Sequence, residues 1–171
     1  MTLELREPTL EMKDAYLDYI ADWERTGEPI IAGAARLDGR SYEEWLDLIR
    51  QRAVSAPEGL VPASLYVLCD ETGRIYGVVD IRHKLNDYLL QFGGHIGYGI
   101  RPSERRKGYA AKQLALALPI AKSLGIDRAL ITCNRKNTGS AHTIRKNGGV
   151  LENEVRDGEE ITQRYWIDLT K

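Results

Sequence analysis

Apolar and polar positions change period several times along the chain, and each change marks an element. Leu3-Glu4-Leu5-Arg6 alternates with period two, which predicts a short strand. Thr9 is placed as an N-cap, and Met12, Tyr16, Leu17, Ile20 and Trp23 follow at helical spacing until Thr26-Gly27. A loop carrying Gly27, Pro29, Gly33 and Gly39 then runs to Arg40. Ser41-Tyr42-Glu43-Glu44 has the form of a capping box, in which hydroxyl and carboxylate each satisfy the other residue's N–H. Behind it Trp45, Leu48, Ile49 and Arg52 line one stripe of a second helix, which ends near Ser55-Ala56-Pro57-Glu58-Gly59.

The period then drops to two. Ala63 to Cys69 and Arg74 to Lys84 are expected as strands joined by Asp70-Glu71-Thr72-Gly73, and Asn86-Asp87 marks the next turn. Leu90 to Arg101 is expected as a third strand, loosened by Gly93, Gly94, Gly97 and Gly99. Glycines inside a strand signal a bulge or the close approach of another backbone or a ligand. A helix over about 107–124 ends at Gly125 and holds Pro119, which should kink it or free one carbonyl. Arg128 to Cys133 is a buried-type strand, Asn137 caps a helix ending at Asn147-Gly148-Gly149, and 150–155 with 161–169 form a hairpin around Asp157-Gly158. The order β-α-α-β-β-β-α-β-α-β-β predicts an α/β (α+β) fold. One mixed, mostly antiparallel sheet carries helices on both faces, in a single domain over 1–171.

Composition narrows the function classes. With 43% apolar residues and a net charge of −1 over 171 residues, the chain can bury a core and is not disordered. Its longest apolar run, Leu114 to Ala121, is too short to cross a bilayer, and the alternating N-terminus is not a signal peptide. Only Cys69 and Cys133 occur, both in apolar strand-like runs, which suits a reduced, cytoplasmic protein without disulfides. Three scattered histidines without cysteine or carboxylate spacing do not form a metal site.

The near-zero net charge hides an uneven distribution. Residues 1–100 carry a balance of −7 and residues 147–171 one of −3, whereas 101–146 hold 11 basic and 2 acidic side chains, a balance of +9. Inside that block, strand leads to helix through Arg101-Pro102-Ser103-Glu104-Arg105-Arg106-Lys107-Gly108-Tyr109-Ala110. Helix-start N–H groups and the helix dipole favour an anion there, small Gly108 and Ala110 leave the first turn bare, and Arg105, Arg106 and Lys107 add charge. That combination is a pyrophosphate cradle. It is not a P-loop, because Lys107 precedes the glycine and no hydroxyl follows. Nor is it a Rossmann fingerprint, because Gly97-x-Gly99 lies within a strand that meets Pro102.

Arg105-x-x-Gly108-x-Ala110 resembles the Q/R-x-x-G-x-G/A signature of the GNAT superfamily of N-acetyltransferases. Asn137-x-x-Ser140 before a helix ended by Gly148-Gly149 resembles that family's Asn-x-x-Ala segment, and the motif region spans residues 91–150. The resemblance implies acetyl-CoA as cosubstrate and a splay between the strands 90–101 and 128–134 that takes the pantetheine arm. It implies that Tyr98, Gly99 and Ile100 bond the pantetheine, that Arg105 to Ala110 hold the pyrophosphate, and that Asn137, Ser140 and Asn134 lie on the cofactor's far side. A bacterial subgroup with undefined substrates is the nearest likeness, and a homodimer is among its expectations.

Acetyl transfer must also manage protons: the ammonium loses one before attack, and the departing thiolate gains one. Many family members place a tyrosine acid on the helix after the asparagine, but here that position is Ile144, leaving Tyr98 and Tyr109 as substitutes. His95, at the start of the cofactor strand, is the expected base if its pKa lies near neutrality, with Asp80 and His83 as the other candidates, although Asp80 is expected to pair with Arg82 or a neighbouring strand. Cys133 is expected to be a buried strand residue rather than an acyl carrier. The function expected is transfer to a primary amine by direct attack. The alternative is a non-catalytic acyl-CoA-binding or sensing module. Nucleic-acid binding ranks low, because Tyr109 is the only aromatic in the basic block. Glu24, Glu28, Glu43, Glu44 and Asp47 suggest an acidic mouth for a cationic acceptor.

Overall fold

The computed structural model describes all of residues 1–171. The chain runs β1 (Glu4–Arg6), α1 (Lys13–Thr26), α2 (Tyr42–Arg52), β2 (Ala63–Cys69), β3 (Ile75–Arg82), β4 (Ile96–Ile100), α3 (Tyr109–Ser123), β5 (Arg128–Asn134), α4 (Thr138–Lys146), β6 (Val150–Asp157) and β7 (Glu160–Asp168). This is the expected order. The sheet, expected as one, is divided in two: β1-β2-β3-β4 and β5-β7-β6, with every ladder antiparallel. No helix is long and apolar enough to cross a membrane.

Strands β2 and β3 are buried almost end to end, as expected of strands covered on both faces. On one face α1 and α2 pack Tyr16, Tyr19, Trp23, Tyr42 and Trp45 against Leu65, Val67 and Val78. On the other, Leu114 and Ala117 of α3 and Ile144 of α4 pack against Val79, Ile81, Ile96 and strands of the second sheet. The predicted capping box is formed: Glu44 N donates to Ser41 Oγ and Ser41 N to Glu44 Oε1, both at 3.1 Å. The loop after α1 has little regular structure, yet buried aromatics fix its path. Tyr16 Oη donates to Ala35 O at 2.6 Å and Trp45 Nε1 to Ala34 O at 2.9 Å.

Two local expectations, at Thr9 and in the third strand, are corrected. Thr9 caps a short turn over Leu10–Met12 through its backbone, without a side-chain bond, and α1 starts only at Lys13. Pro119 sits inside a continuous α3 on its exposed side, where a freed carbonyl can reach water. The third strand is shorter than 90–101, because Leu89–Gly93 form one wide helical turn. Asn86 Oδ1 accepts from Leu89 N at 2.9 Å, Gly94 N closes the turn on Leu89 O, and Gly94 ends it at a φ of 69°. Long-range bonds then dock it on the second sheet: Thr132 Oγ1 donates to Phe92 O and Arg164 Nε to Leu90 O.

Candidate active site

The two sheets touch at a single backbone bond, His95 N to Leu130 O at 2.7 Å, reinforced by Leu130 N donating to His95 Nδ1 at 2.9 Å. Gly94 permits this approach. A Cβ there would stand 2.6 Å from Leu130 O. Beyond this apex β4 and β5 share no ladder and diverge, which is the splay implied by the family resemblance. Arg82 N bonds His95 O and Arg101 N bonds Tyr76 O, so antiparallel alternation turns Gly97 and Gly99 toward β3. The backbone groups of Tyr98 and Ile100 therefore point into the gap. Of the three residues expected to bond pantetheine, Gly99 instead has its carbonyl on Gln113 Nε2 at 3.4 Å, and its Cα packs under Ile31.

At the mouth of the gap α3 begins with an unusually bare turn. The N–H groups of Arg106, Lys107, Gly108, Tyr109, Ala110 and Ala111 have no acceptor within the chain. Arg106 and Gly108 adopt positive φ of 63° and 86°, the kind of turn that gathers N–H groups around an anion, and nothing lies within 4 Å of a Cβ placed on Gly108. The basic side chains are less mobile than the sequence suggests. Arg105 pairs with Glu28 at 2.8 Å while lying over the Trp23 ring, and Lys107 pairs with Glu104 at 2.9 Å. Arg106 alone has no acidic partner. Tyr109 packs against Tyr76 with the rings tilted by 51° and 4.8 Å between centroids, and Ala110 packs beside it.

Across the gap, Asn137 Oδ1 accepts from Ser140 N at 3.0 Å and so caps α4. Ser140 Oγ lies 2.8 Å from Tyr98 Oη, a bond that joins β4 to α4. Burial pushes the Tyr98 phenol up to about 12, against the opposing Ser140 bond. Asn134 bonds Lys136 N and the Glu160 carboxylate and so serves its own turn. Burial raises the Cys133 thiol, which favours the unreactive form. Ile144 is fully buried. His95 is only 7% exposed; burial, helped by Arg82, pushes it down to about 4. The near-neutral ionisation expected of a base there is therefore corrected.

One residue near the site escaped the sequence reasoning. Arg101, 1% exposed, donates to Asp18 Oδ2 at 2.7 Å and meets Asp22 Oδ2 at 3.1 Å, while Ser103 N and Oγ also bond Asp22. The pair Asp18 and Asp22, four apart on an otherwise apolar-faced helix, was the available signal. Arg82, half-buried, meets Asp80 at 3.3 Å, the pairing expected for that carboxylate from the sequence. The acidic mouth is also depleted: Glu28 pairs with Arg105, Glu43 with Lys13, and Glu44 is spent on its cap. Glu24 and Asp47 remain without such partners, Glu24 on a cleft of about 600 Å³ between α1 and the following loop and Asp47 on α2.

With this geometry in hand, comparisons with known proteins agree with one another. The model of the acetyltransferase (GNAT) domain matches residues 2–150. No curated protein matches by sequence. The fold is similar to RimL, a ribosomal L7/L12 α-N-protein acetyltransferase in complex with coenzyme A. There the TM-score is 0.71 at 19% identity, covering 98% of this chain and 94% of that one. It is similar to the spermidine N-acetyltransferase SpeG from Vibrio cholerae, with TM-score 0.65, 17% identity and coverage of 100% and 96%. The protein yncA from Salmonella typhimurium, with its cofactor acetyl-CoA, gives TM-score 0.66, 13% identity and coverage of 100% and 96%. Family match, splayed strands and bare helix start converge: the chain belongs to the GNAT family of acetyltransferases, which draw on acetyl-CoA.

Proposed function

We propose that this protein moves the acetyl group of acetyl-CoA to a primary amine by direct attack, in the gap between β4 and β5. The observation that carries this reading is the run of six unpartnered N–H groups around Gly108, placed at the open end of an unpaired strand edge. Together they fit a pyrophosphate followed by an extended amide-bearing arm. Bound acetyl-CoA supplies the activated acyl group. The 106–111 amides and Arg106 hold its phosphates, Tyr98 and Ile100 pair with the pantetheine, and an outward N–H of β4 polarises the thioester carbonyl. Asn137 and Ser140 line the far side.

Of the candidates for proton handling, Tyr98 suits its role. A phenol at about 12 stays protonated at neutral pH and can donate to a departing thiolate, with Ser140 orienting it. His95 at about 4 is too weak a base, and its Nδ1 is already bonded. We assign it to holding the apex, and the acceptor amine gives its proton to water. The buried Ile144, where a tyrosine acid is common, keeps a second reading open, a module that binds acyl-CoA without turnover.

Calorimetric titration with coenzyme A tests the site. Wild-type protein should bind, and Gly108→Glu should lose binding while its circular dichroism stays native, since the added carboxylate would occupy the phosphate position. Unchanged affinity in Gly108→Glu would move the site elsewhere. Thiol release across an amine panel separates the two readings: the binding module would release none with any amine.

A further inference from the structure

The face of β4 opposite the Tyr98 side chain carries a charged cluster that acetyl transfer does not itself use. Asp80 lies opposite Gly97 in register and is 1% exposed. Its Oδ2 meets Arg82 Nε at 3.3 Å and Arg52 Nη2 at 3.5 Å, and its Oδ1 has no partner. Arg82 Nη1 donates to Gly93 O at 3.2 Å. The guanidinium lies broadside across Gly97, with Cζ, Nη1 and Nη2 all 3.1–3.4 Å from where a Cβ would stand. The absent side chain is what gives Arg82 this position.

Charge does not close within the cluster. The neighbouring histidines are neutral: burial lowers His83, which bonds Ser64, and His95 is lower still. Two guanidiniums therefore share one carboxylate, leaving one positive charge in excess on side chains 22% and 27% exposed. Arg82 Nη2 and the remaining nitrogens of Arg52 have no hydrogen-bond acceptor in the chain beyond Asp80. A partly desolvated cation without its counterion is costly, and a planar carboxylate is the ligand whose two oxygens match a guanidinium edge.

Location decides what such an anion would be part of. Gly97 directly precedes Tyr98, whose backbone opens into the gap, and neighbouring strand residues are about 3.3 Å apart. The Ile31 segment walls the same face at Gly99. An anion held at Arg82 would thus lie a few ångströms from an amine attacking at Tyr98, the separation found within an amino acid. We propose that Arg82, backed by Arg52 and oriented by Asp80, is the acceptor's carboxylate subsite, so that the amine acetylated belongs to an amino-acid-type acceptor rather than a polyamine. This deepens the acetyl-transfer reading and rests on it.

The test is thiol release with the common L-amino acids, each paired with its α-amide, alongside spermidine, for wild type, Arg82→Gln and Arg82→Lys. At least one acid should exceed its amide by about tenfold or more in kcat/KM. Arg82→Gln should erase that preference through KM, with kcat and coenzyme A affinity kept. Arg82→Lys, which retains charge but not the fork, should fold even if the glutamine variant does not, and should keep only part of the preference. Amides or spermidine serving as well as the acids, a preference that survives in both variants, or no reaction with any acid would each overturn the proposal. Release with amides or spermidine alone would keep the acetyl-transfer reading while overturning this subsite, whereas coenzyme A binding without release from any amine would overturn both.

Discussion

Burial and the nearby Arg82 guanidinium hold the His95 ring near a pKa of about 4, so it enters the fold uncharged. In the unfolded chain it would take a proton below its ordinary value of 6.5. Between those values the unfolded state binds more protons, so this contribution is complete above about pH 6.5 and is lost as pH falls toward 4. Its size is roughly 3 kcal/mol. His95→Asn keeps an acceptor near the Nδ1 position for Leu130 N but cannot ionise. Urea unfolding from pH 7 to 4.5 should therefore fall less steeply in His95→Asn than in wild type, and turnover at neutral pH should survive. Parallel stability profiles would mean the ring is not held neutral; a collapse of kcat would restore it as the base. The sequence placed His95 at the start of the right strand. Its ionisation was not legible, because that depends on Leu130 and Arg82, residues brought beside it only by the fold.

Elements are locked around the cradle by pairs remote in sequence. Burial works to raise the Asp22 carboxyl, but bonds from Ser103 and the charge of Arg101 outweigh it and hold the group below the usual range. Asp22 thereby ties α1 to the turn that precedes α3. Removing Asp22 leaves buried Arg101 with only the exposed Asp18 and takes the acceptor from Ser103 N and Oγ, at a cost of about 3 kcal/mol. Asp22→Ala should lower stability by that order and weaken coenzyme A binding, while thiol release at saturating cofactor stays near wild type. A variant with unchanged affinity would show that the turn holds its shape without α1. Local signals in this region were readable: Ser41 with Glu44, Asn137 before α4 and Gly108 before α3 all act within three or four residues. The pairing of Arg105 with Glu28 was not, since 77 residues separate them and nothing local couples their positions. The wide turn at Leu89–Gly93 was misjudged for a related reason. Its glycines suit a strand bulge equally well, and what fixes the helical turn is Thr132 and Arg164 from the second sheet.

The whole molecule is two antiparallel sheets joined at the His95–Leu130 apex, with helices α3 and α4 spanning the division on one face. The family resemblance implied the splay, but not its completeness. Whether two strands share a ladder depends on how closely their backbones approach, and only Gly94 lets them meet. A ligand in the gap would bridge the sheets by pairing with strand edges that otherwise face solvent. It binds the folded state only, so at about 100 times its Kd it adds roughly 2.7 kcal/mol, which for a chain this size raises Tm by about 5–10 °C. Acetyl-CoA should produce that rise, and hydrogen exchange should show where it acts. Alternation along β4 predicts newly protected amides at Tyr98 and Ile100, whereas Gly97 and Gly99, already bonded to β3, should change little. Protection confined to the 106–111 amides would mean that phosphates bind while the arm lies outside the gap. Protection spread evenly over both sheets would mean general stabilisation rather than a bridge, and either pattern would refute this placement of the thioester.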